Sequence, residues 1–268
     1  MIARVMLMAI ASLTVAQSCI FEDREHCPVY LTLDFSGVPE EVGNVLLFLE
    51  HEDGHMYRDT LYSQDFQSVY EIPVSKGTFH VAAYGNVREM VFDGGYRVTP
   101  GRQADSLYTC FHTAAYTGDL ATDTIKMAKD HIGLHIRVLG LAEDPDSIFV
   151  RIESSSVGYS LYGEIIGGTY IHVPEAAHIA EDDAGYYEFS SRILRQKEED
   201  LTLEICAVDN GADTTLTAIP LAARLQEAGI AMDSVNLEDV YLTIDYAHYS
   251  MTVSPVDWYD NGQVEIEF

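Results

Sequence analysis

Apolar and polar residues alternate one for one through much of this chain. Val29, Leu31, Leu33 and Phe35 alternate with Tyr30, Thr32 and Asp34, and Phe79, Val81 and Ala83 follow the same rule. So do Ile132, Leu134, Ile136 and Val138 against His131, His135 and Arg137, and the chain ends on Val264, Ile266 and Phe268 interleaved with Glu265 and Glu267. Successive side chains of a strand point to opposite faces, so this pattern predicts strands with one buried face and one wet face. His131 and His135, on the polar phase, are expected at the surface. They lie about 13 Å apart along a strand, too far to share a metal.

Turn signals separate these segments: Asp53-Gly54, Asp93-Gly94-Gly95, Pro100-Gly101, Asn210-Gly211 and Asn261-Gly262. Many short strands with regular turns predict an all-β protein built as a sandwich or barrel. One helix stands out, from Pro220 to Ala228. Pro220 suits the first turn and Gly229 the stop, and Leu221 and Leu225 would pin the helix to a sheet edge or sandwich end. A fresh alternating strand opens at His131, which places a domain boundary near residue 129. The expected organisation is a signal peptide over residues 1–18, an N-terminal β-sandwich domain over 19–128 and a C-terminal β-sandwich domain over 129–268.

The first 18 residues break the pattern. Arg4, the apolar run Val5 to Val15 and the small residues before Cys19 have the form of a secretion signal, and the run is too short for a bilayer, which takes about 20 apolar residues. Ala16 and Ser18 also fit ordinary signal peptidase, which would leave Cys19 a plain thiol. A cut directly before a cysteine favours the other reading, in which Cys19 carries lipid and the chain is anchored by several acyl chains acting together.

The formal net charge of −28 excludes the phosphate-neutralising patch that nucleic-acid binding needs, and argues against a surface lying flat on anionic lipid. Hydrophobic content of 47% is that of a packed protein. With Cys19 lipidated, Cys27, Cys110 and Cys206 remain. In an exported protein Cys27 and Cys110 are the expected disulfide, tying the first strand of a domain to a late one, and Cys206 the expected buried free thiol. Spacing alone does not fix the connectivity.

Little in the sequence selects catalytic chemistry. His51-Glu52-Asp53-Gly54-His55 spells the HExxH zinc motif, which works only on a helix. Asp-Gly at its centre, after an apolar run Val45 to Glu50, predicts a hairpin tip instead. The acidic runs Glu143-Asp144-Asp146 and Glu181-Asp182-Asp183 lack calcium-loop spacing. Tyr159, Tyr162, Tyr170, Tyr186 and Tyr187 would suit strands, or stack on sugars if exposed. Asp followed by Ser or Thr and then an aliphatic residue or Thr recurs at Asp59, Asp105, Asp123, Asp146, Asp213 and Asp233. This is similar to an O-glycosylation acceptor motif of exported proteins in one phylum of Gram-negative anaerobes, and also to a plain turn leading into a strand.

Three features together carry a resemblance. The segment CIFEDREHCP places an acidic spacer and Cys-Pro between Cys19 and the first strand. Phe189-Ser190-Ser191-Arg192-Ile193-Leu194 is followed by the strand Leu201 to Ala207, a short helix at Ile219-Pro220-Leu221, then Asp239 to Asp245, with Trp258 near the end. In order and spacing these resemble the anchor subunits of the fimbrillin superfamily (type V pili), over about half the chain. The resemblance implies two tandem transthyretin-like, Greek-key sandwiches and a non-enzymatic, surface-exposed lipoprotein of the Gram-negative outer membrane. Such a protein tethers a fimbria and limits its length, with lipid on Cys19 and fimbrillin-type pilins as partners joined by strand exchange. The segment Gln263 to Phe268 would be an exchanged strand or a plain closing strand. Glu22, Asp23 and Glu25 resemble signals that send lipoproteins to the outer face. No cofactor, metal, nucleic acid or small-molecule substrate is expected. The rival readings are a glycan-binding surface lipoprotein of a polysaccharide-uptake system and a metalloenzyme using His51 and His55.

Overall fold

A computed structural model describes residues 27–62, 69–88, 94–141, 147–179, 185–196, 200–209, 211–255 and 264–267. It holds 19 strands and one short helix among those residues. In chain order the strands of the first half are β1 (Val29–Asp34), β2 (Asn44–His51), β3 (Met56–Tyr62), β4 (Val69–Val74), β5 (Gly77–Gly85), β6 (Gly95–Arg97), β7 (Tyr108–Tyr116), β8 (Leu120–Thr124) and β9 (Ala128–Lys129). There follow β10 (His131–Leu139), β11 (Ser147–Ser160), β12 (Ile165–His172), β13 (Ala176–Ile179), β14 (Tyr186–Leu194), β15 (Thr202–Asp209), β16 (Ala212–Ile219), α1 (Leu221–Glu227), β17 (Val240–Asp245), β18 (Ser250–Pro255) and β19 (Val264–Glu267). The protein is all-β, and its four sheets make two sandwiches.

The first sandwich faces a three-stranded sheet, β4-β1-β8, against a five-stranded one, β3-β2-β5-β7-β9. Alternation builds the thin sheet as expected: Val29, Leu31 and Leu33 are fully buried, and Tyr30 between them is 60% exposed. The five-stranded sheet departs from alternation. Val45, Leu47 and Leu49 of β2 pack with the thin sheet, whereas Leu46 and Phe48 of the same strand belong to the core of the second sandwich. On β5, Val81 and Ala83 face one core, and Ala82 and Tyr84 the other. Both faces of β2 and β5 are therefore covered, and the runs Val45 to Leu49 and Val81 to Tyr84 are apolar without alternation for that reason.

The second sandwich pairs a six-stranded sheet, β13-β14-β10-β17-β18-β19, with a sheet of order β12-β11-β15-β16. Ile132, Leu134, Ile136 and Val138 of β10 and Val240, Leu242 and Ile244 of β17 are buried side by side on parallel strands. A strand from the first half, β6, adds to this sandwich by pairing with β11 from Gly158 to Ser160. Here Gly95, with φ of 155°, lies against the β11 backbone, where an added Cβ would meet the Tyr159 carbonyl. The helix α1 occurs where the Pro220 and Gly229 signals put it, with Leu221 and Leu225 fully buried and Gly229 in the left-handed region at φ of 80°.

Chain passage between the sandwiches is tight. Only Asp130 separates β9 from β10, and it is buried, ion-paired to Arg195 at 2.7 Å and hydrogen-bonded by Thr109. The neighbouring His131 corrects the expectation of a surface histidine. It is 6% exposed, its Nδ1 lies 3.0 Å from the Leu107 carbonyl oxygen, and the Tyr108 ring stands edge-on to it. Burial lowers its pKa. Position at the junction, which alternation does not encode, overrides the polar phase of the strand.

Candidate functional site

For a protein with no catalytic motif, the backbone at its sheet edges is the first chemistry to consider, because an edge offers unpaired N–H and C=O groups. The edges differ. On β4, Pro73 has no N–H to offer a new strand. On the far side of the six-stranded sheet the edge is β19, which pairs antiparallel with β18 from Val264 to Glu267. The C-terminal segment is thus a closing strand of its own sheet.

The first sandwich has a more open side. Along β7, the short β9 reaches only Tyr108 and Thr109, and among the described residues no strand pairs with Cys110 to Tyr116 on the side away from β5. Opposite it runs β8, the edge of the thin sheet, paired on one side with β1. Between them lies a groove of about 630 Å³, lined by Cys110, His112, Thr122, Asp123 and Lys126 among others.

A polar clasp spans this open side. His112 on β7 bonds through Nε2 to Asp123 Oδ2 on β8 at 2.7 Å, and the Tyr116 hydroxyl donates to the same oxygen at 2.6 Å. Asp123 Oδ1 accepts the Thr124 N–H at 2.7 Å. The carboxylate holds the His112 proton and raises its pKa to about 10, with the Cys110 contact adding to the shift. Burial works to raise the pKa of Asp123, but the hydrogen bonds from His112 and Tyr116 prevail and hold it low. Cys110 Sγ lies 3.6 Å from His112 Nδ1, so the three groups fall in the order of a nucleophile, base and orienting acid. Yet Cys110 is only 8% exposed, within the sandwich core, and both Asp123 oxygens already accept hydrogen bonds from protein donors. The arrangement fastens two sheets where no strand closes them.

The sequence-predicted sites fall as follows. Cys19 and the whole secretion signal lie outside the described residues, as do Glu143-Asp144-Asp146 and Glu181-Asp182-Asp183. The Cys27–Cys110 disulfide is not formed: both are free thiols, Cys27 exposed ahead of the thin sheet and Cys110 buried on the facing one. Cys206 is a buried free thiol as expected, and burial raises its pKa. His51 to His55 form the β2–β3 hairpin tip, with the Gly54 N–H donating to the His51 carbonyl at 2.8 Å and Gly54 at φ of 88°. His51 turns inward to the Lys76 carbonyl oxygen and to Asp53, not toward His55. Among the described residues no three metal-ligating side chains gather.

The tyrosines do not form an exposed platform. Tyr159 and Tyr170 are buried, and Tyr162, though exposed, donates to Glu50 at 2.7 Å and stacks near His80, joining the two sandwiches. The clasp itself went unread in sequence. Asp123 is legible only as the turn residue of an Asp-Thr-Ile motif, and His112 shares a strand face with Cys110 and Tyr116 without any motif to mark it.

No protein-family model matches the chain, and no curated protein sequence does. Solved structures do. One is the fimbrial anchor protein Mfa2 of Porphyromonas gingivalis, with a TM-score of 0.62 at 14% identity, covering 90% of this chain and 96% of that one. Another, a Bacteroides thetaiotaomicron protein provisionally described as polysaccharide-binding, gives 0.66 at 11% identity over 89% of this chain and 98% of its own. A third, provisionally described as an adhesin of the same organism, gives 0.62 at 14% identity over 90% and 99%. The β-sandwiches, the one short helix among the described residues and structural agreement over nine-tenths of the chain together give it the fold of a fimbrial anchor protein and of adhesin-like proteins from these bacteria.

Proposed function

We propose that this chain is a non-enzymatic lipoprotein of the outer membrane surface that tethers a fimbria and limits its length. Lipid on Cys19 holds it, and the units 19–128 and 129–268 carry the load to fimbrillin-type pilins. The observation that carries the reading is the fold shared with a fimbrial anchor over nine-tenths of the chain. The unpaired stretch Cys110 to Tyr116 supports a joint made by strand pairing, since such an edge takes an added strand through main-chain hydrogen bonds.

The test is gentle solubilisation of the outer membrane, capture of the tagged protein and mass spectrometry of what accompanies it. A ladder of pilin subunits that survives unheated SDS is expected. A Cys19→Ala protein should leave the membrane and release fimbriae into the medium. A clean preparation without pilins overturns the tether, and a Cys19→Ala protein that stays in the membrane overturns the lipid.

A further inference from the structure

Arginine is scarce in this acidic chain, yet four of its 11 arginines line one cavity. Arg88, Arg97, Arg102 and Arg192 surround a space of about 310 Å³, with Thr99 and Gln103 as uncharged polar neighbours. The chain carries 43 acidic residues against 15 Lys and Arg, so carboxylate partners are plentiful. Elsewhere arginines take them: Arg137 pairs with Glu188, Arg151 with Glu204, Arg195 with Asp130 and Arg224 with Glu227. Among the described residues, none of the four cavity arginines has an ion-pair partner. Asp105, the one carboxylate in the lining, accepts the Arg88 backbone N–H at 3.2 Å.

The wall is fixed in advance. Residues 98–105 form a strap whose ends are bonded down: the Val98 N–H to the Val157 carbonyl, and the Ala104 N–H to the Arg192 carbonyl at 2.9 Å. In return the Arg192 Nε–H donates to the Ala104 carbonyl at 3.1 Å, which aims the guanidinium and leaves its two terminal nitrogens for another acceptor. The buried Tyr96 hydroxyl accepts the Asp105 N–H. A turn at Thr99 to Arg102, with Gly101 at φ of 75°, presents Arg102.

We propose that this cavity binds the carboxylate of an acidic saccharide. A planar guanidinium fork matches a carboxylate in two parallel hydrogen bonds, and several around one site recognise an anion where a single lysine would not. The volume suits one or two sugar rings, at the lower bound of small-ligand sites. An extended peptide is disfavoured, because the Ala104 and Arg192 backbone groups at the wall already pair with each other. An adjoining cavity of about 610 Å³ shares Arg102 and Gln103 and continues past His172 and Ser190, but brings Glu175 and Glu188 into its lining. Those carboxylates repel a second negative charge, so a saccharide with one acidic residue followed by neutral ones, such as 3′-sialyllactose, should bind more tightly than a uniformly acidic one.

The inference does not rest on the tether and fails separately from it. Calorimetric titration of the full chain with 3′-sialyllactose, a hyaluronan tetrasaccharide and a galacturonate tetramer, against neutral lactose and chitotetraose, tests it. Saturable binding of an acidic probe, absence of binding by the neutral pair and weakening by about tenfold or more in R97Q/R102Q are expected. Both substitutions lie on exposed side chains, so thermal unfolding and pilin capture should stay as in the parent. No saturation by any acidic probe up to about 5 mM overturns the proposal, as does equal binding by parent and variant. Loss of pilin capture in R97Q/R102Q without saccharide binding by the parent also overturns it, and assigns the arginines to a carboxylate of the partner protein.

Discussion

The two sheets of the first sandwich teach opposite lessons. The thin sheet β4-β1-β8 has one buried face and one wet face, and its central strand β1 alternates cleanly between them. In its partner β3-β2-β5-β7-β9 the central strands β2 and β5 are buried on both faces, because the second sandwich packs on their outer side through Leu46, Phe48, Ala82 and Tyr84. Hydrogen bonds reinforce that contact: the Tyr84 hydroxyl donates to the Ser160 carbonyl at 2.7 Å, and His80 Nε2 lies 2.6 Å from the Leu161 carbonyl oxygen. One sheet thus belongs to two cores, and the sandwiches are joined as layers of one body.

The comparison breaks most sharply at Phe48. Phe48→Ala is expected to cost about 3–5 kcal/mol and to lower a single unfolding transition seen by probes in both halves. Leu33→Ala, confined to the thin-sheet side, should cost about 2–5 kcal/mol and leave the second half's local hydrogen exchange closer to the parent's. Two separate transitions in the parent would sink the shared core.

Next in size is Arg195→Ala. It strands the buried Asp130 and three carbonyls, of Met232, Ser234 and Val235, and should cost about 3 kcal/mol by denaturant unfolding. The clasp comes third. His112 has a raised folded-state pKa, so its contribution is full below the unfolded value of 6.5 and is lost as pH rises through about 10. Asp123, held low, limits the acid side: its share is present above 3.8 and lost as pH falls through the lowered folded value. The pair is partly exposed, so Asp123→Asn should remove about 1 kcal/mol at neutral pH and flatten the alkaline slope. An unchanged slope would show that the clasp does not hold the open side. Smallest is Gly54→Ala, about 1 kcal/mol from its left-handed backbone, with no loss of any zinc-dependent property.

Sequence made the half-wet strands legible. β1 and β10 are where alternation puts them, α1 sits between Pro220 and Gly229, and Asp53-Gly54 outweighed the HExxH spelling. What stayed hidden depends on contacts far along the chain. No local pattern reveals that β2 serves two cores, that β6 crosses to β11, or that Asp130 and His131 sit in a buried junction. The arginine cavity is hidden for the same reason: Arg192 arrives on β14, far in sequence from Arg88, Arg97 and Arg102. The Cys27–Cys110 pairing failed because cysteine counting says nothing of where each thiol lies.

The position of β1 has a mechanical consequence. It is the first strand among the described residues, it is central in its sheet, and it is bonded antiparallel to β4 from Val29 to Asp34 and parallel to β8 from Tyr30 to Asp34. A pull on the chain ahead of Val29 runs along the strand axis, so both ladders are loaded in shear and their hydrogen bonds resist together instead of peeling one after another. Tension between the segment ahead of Val29 and anything gripping the body of the protein would meet its resistance there, in the smallest of the four sheets.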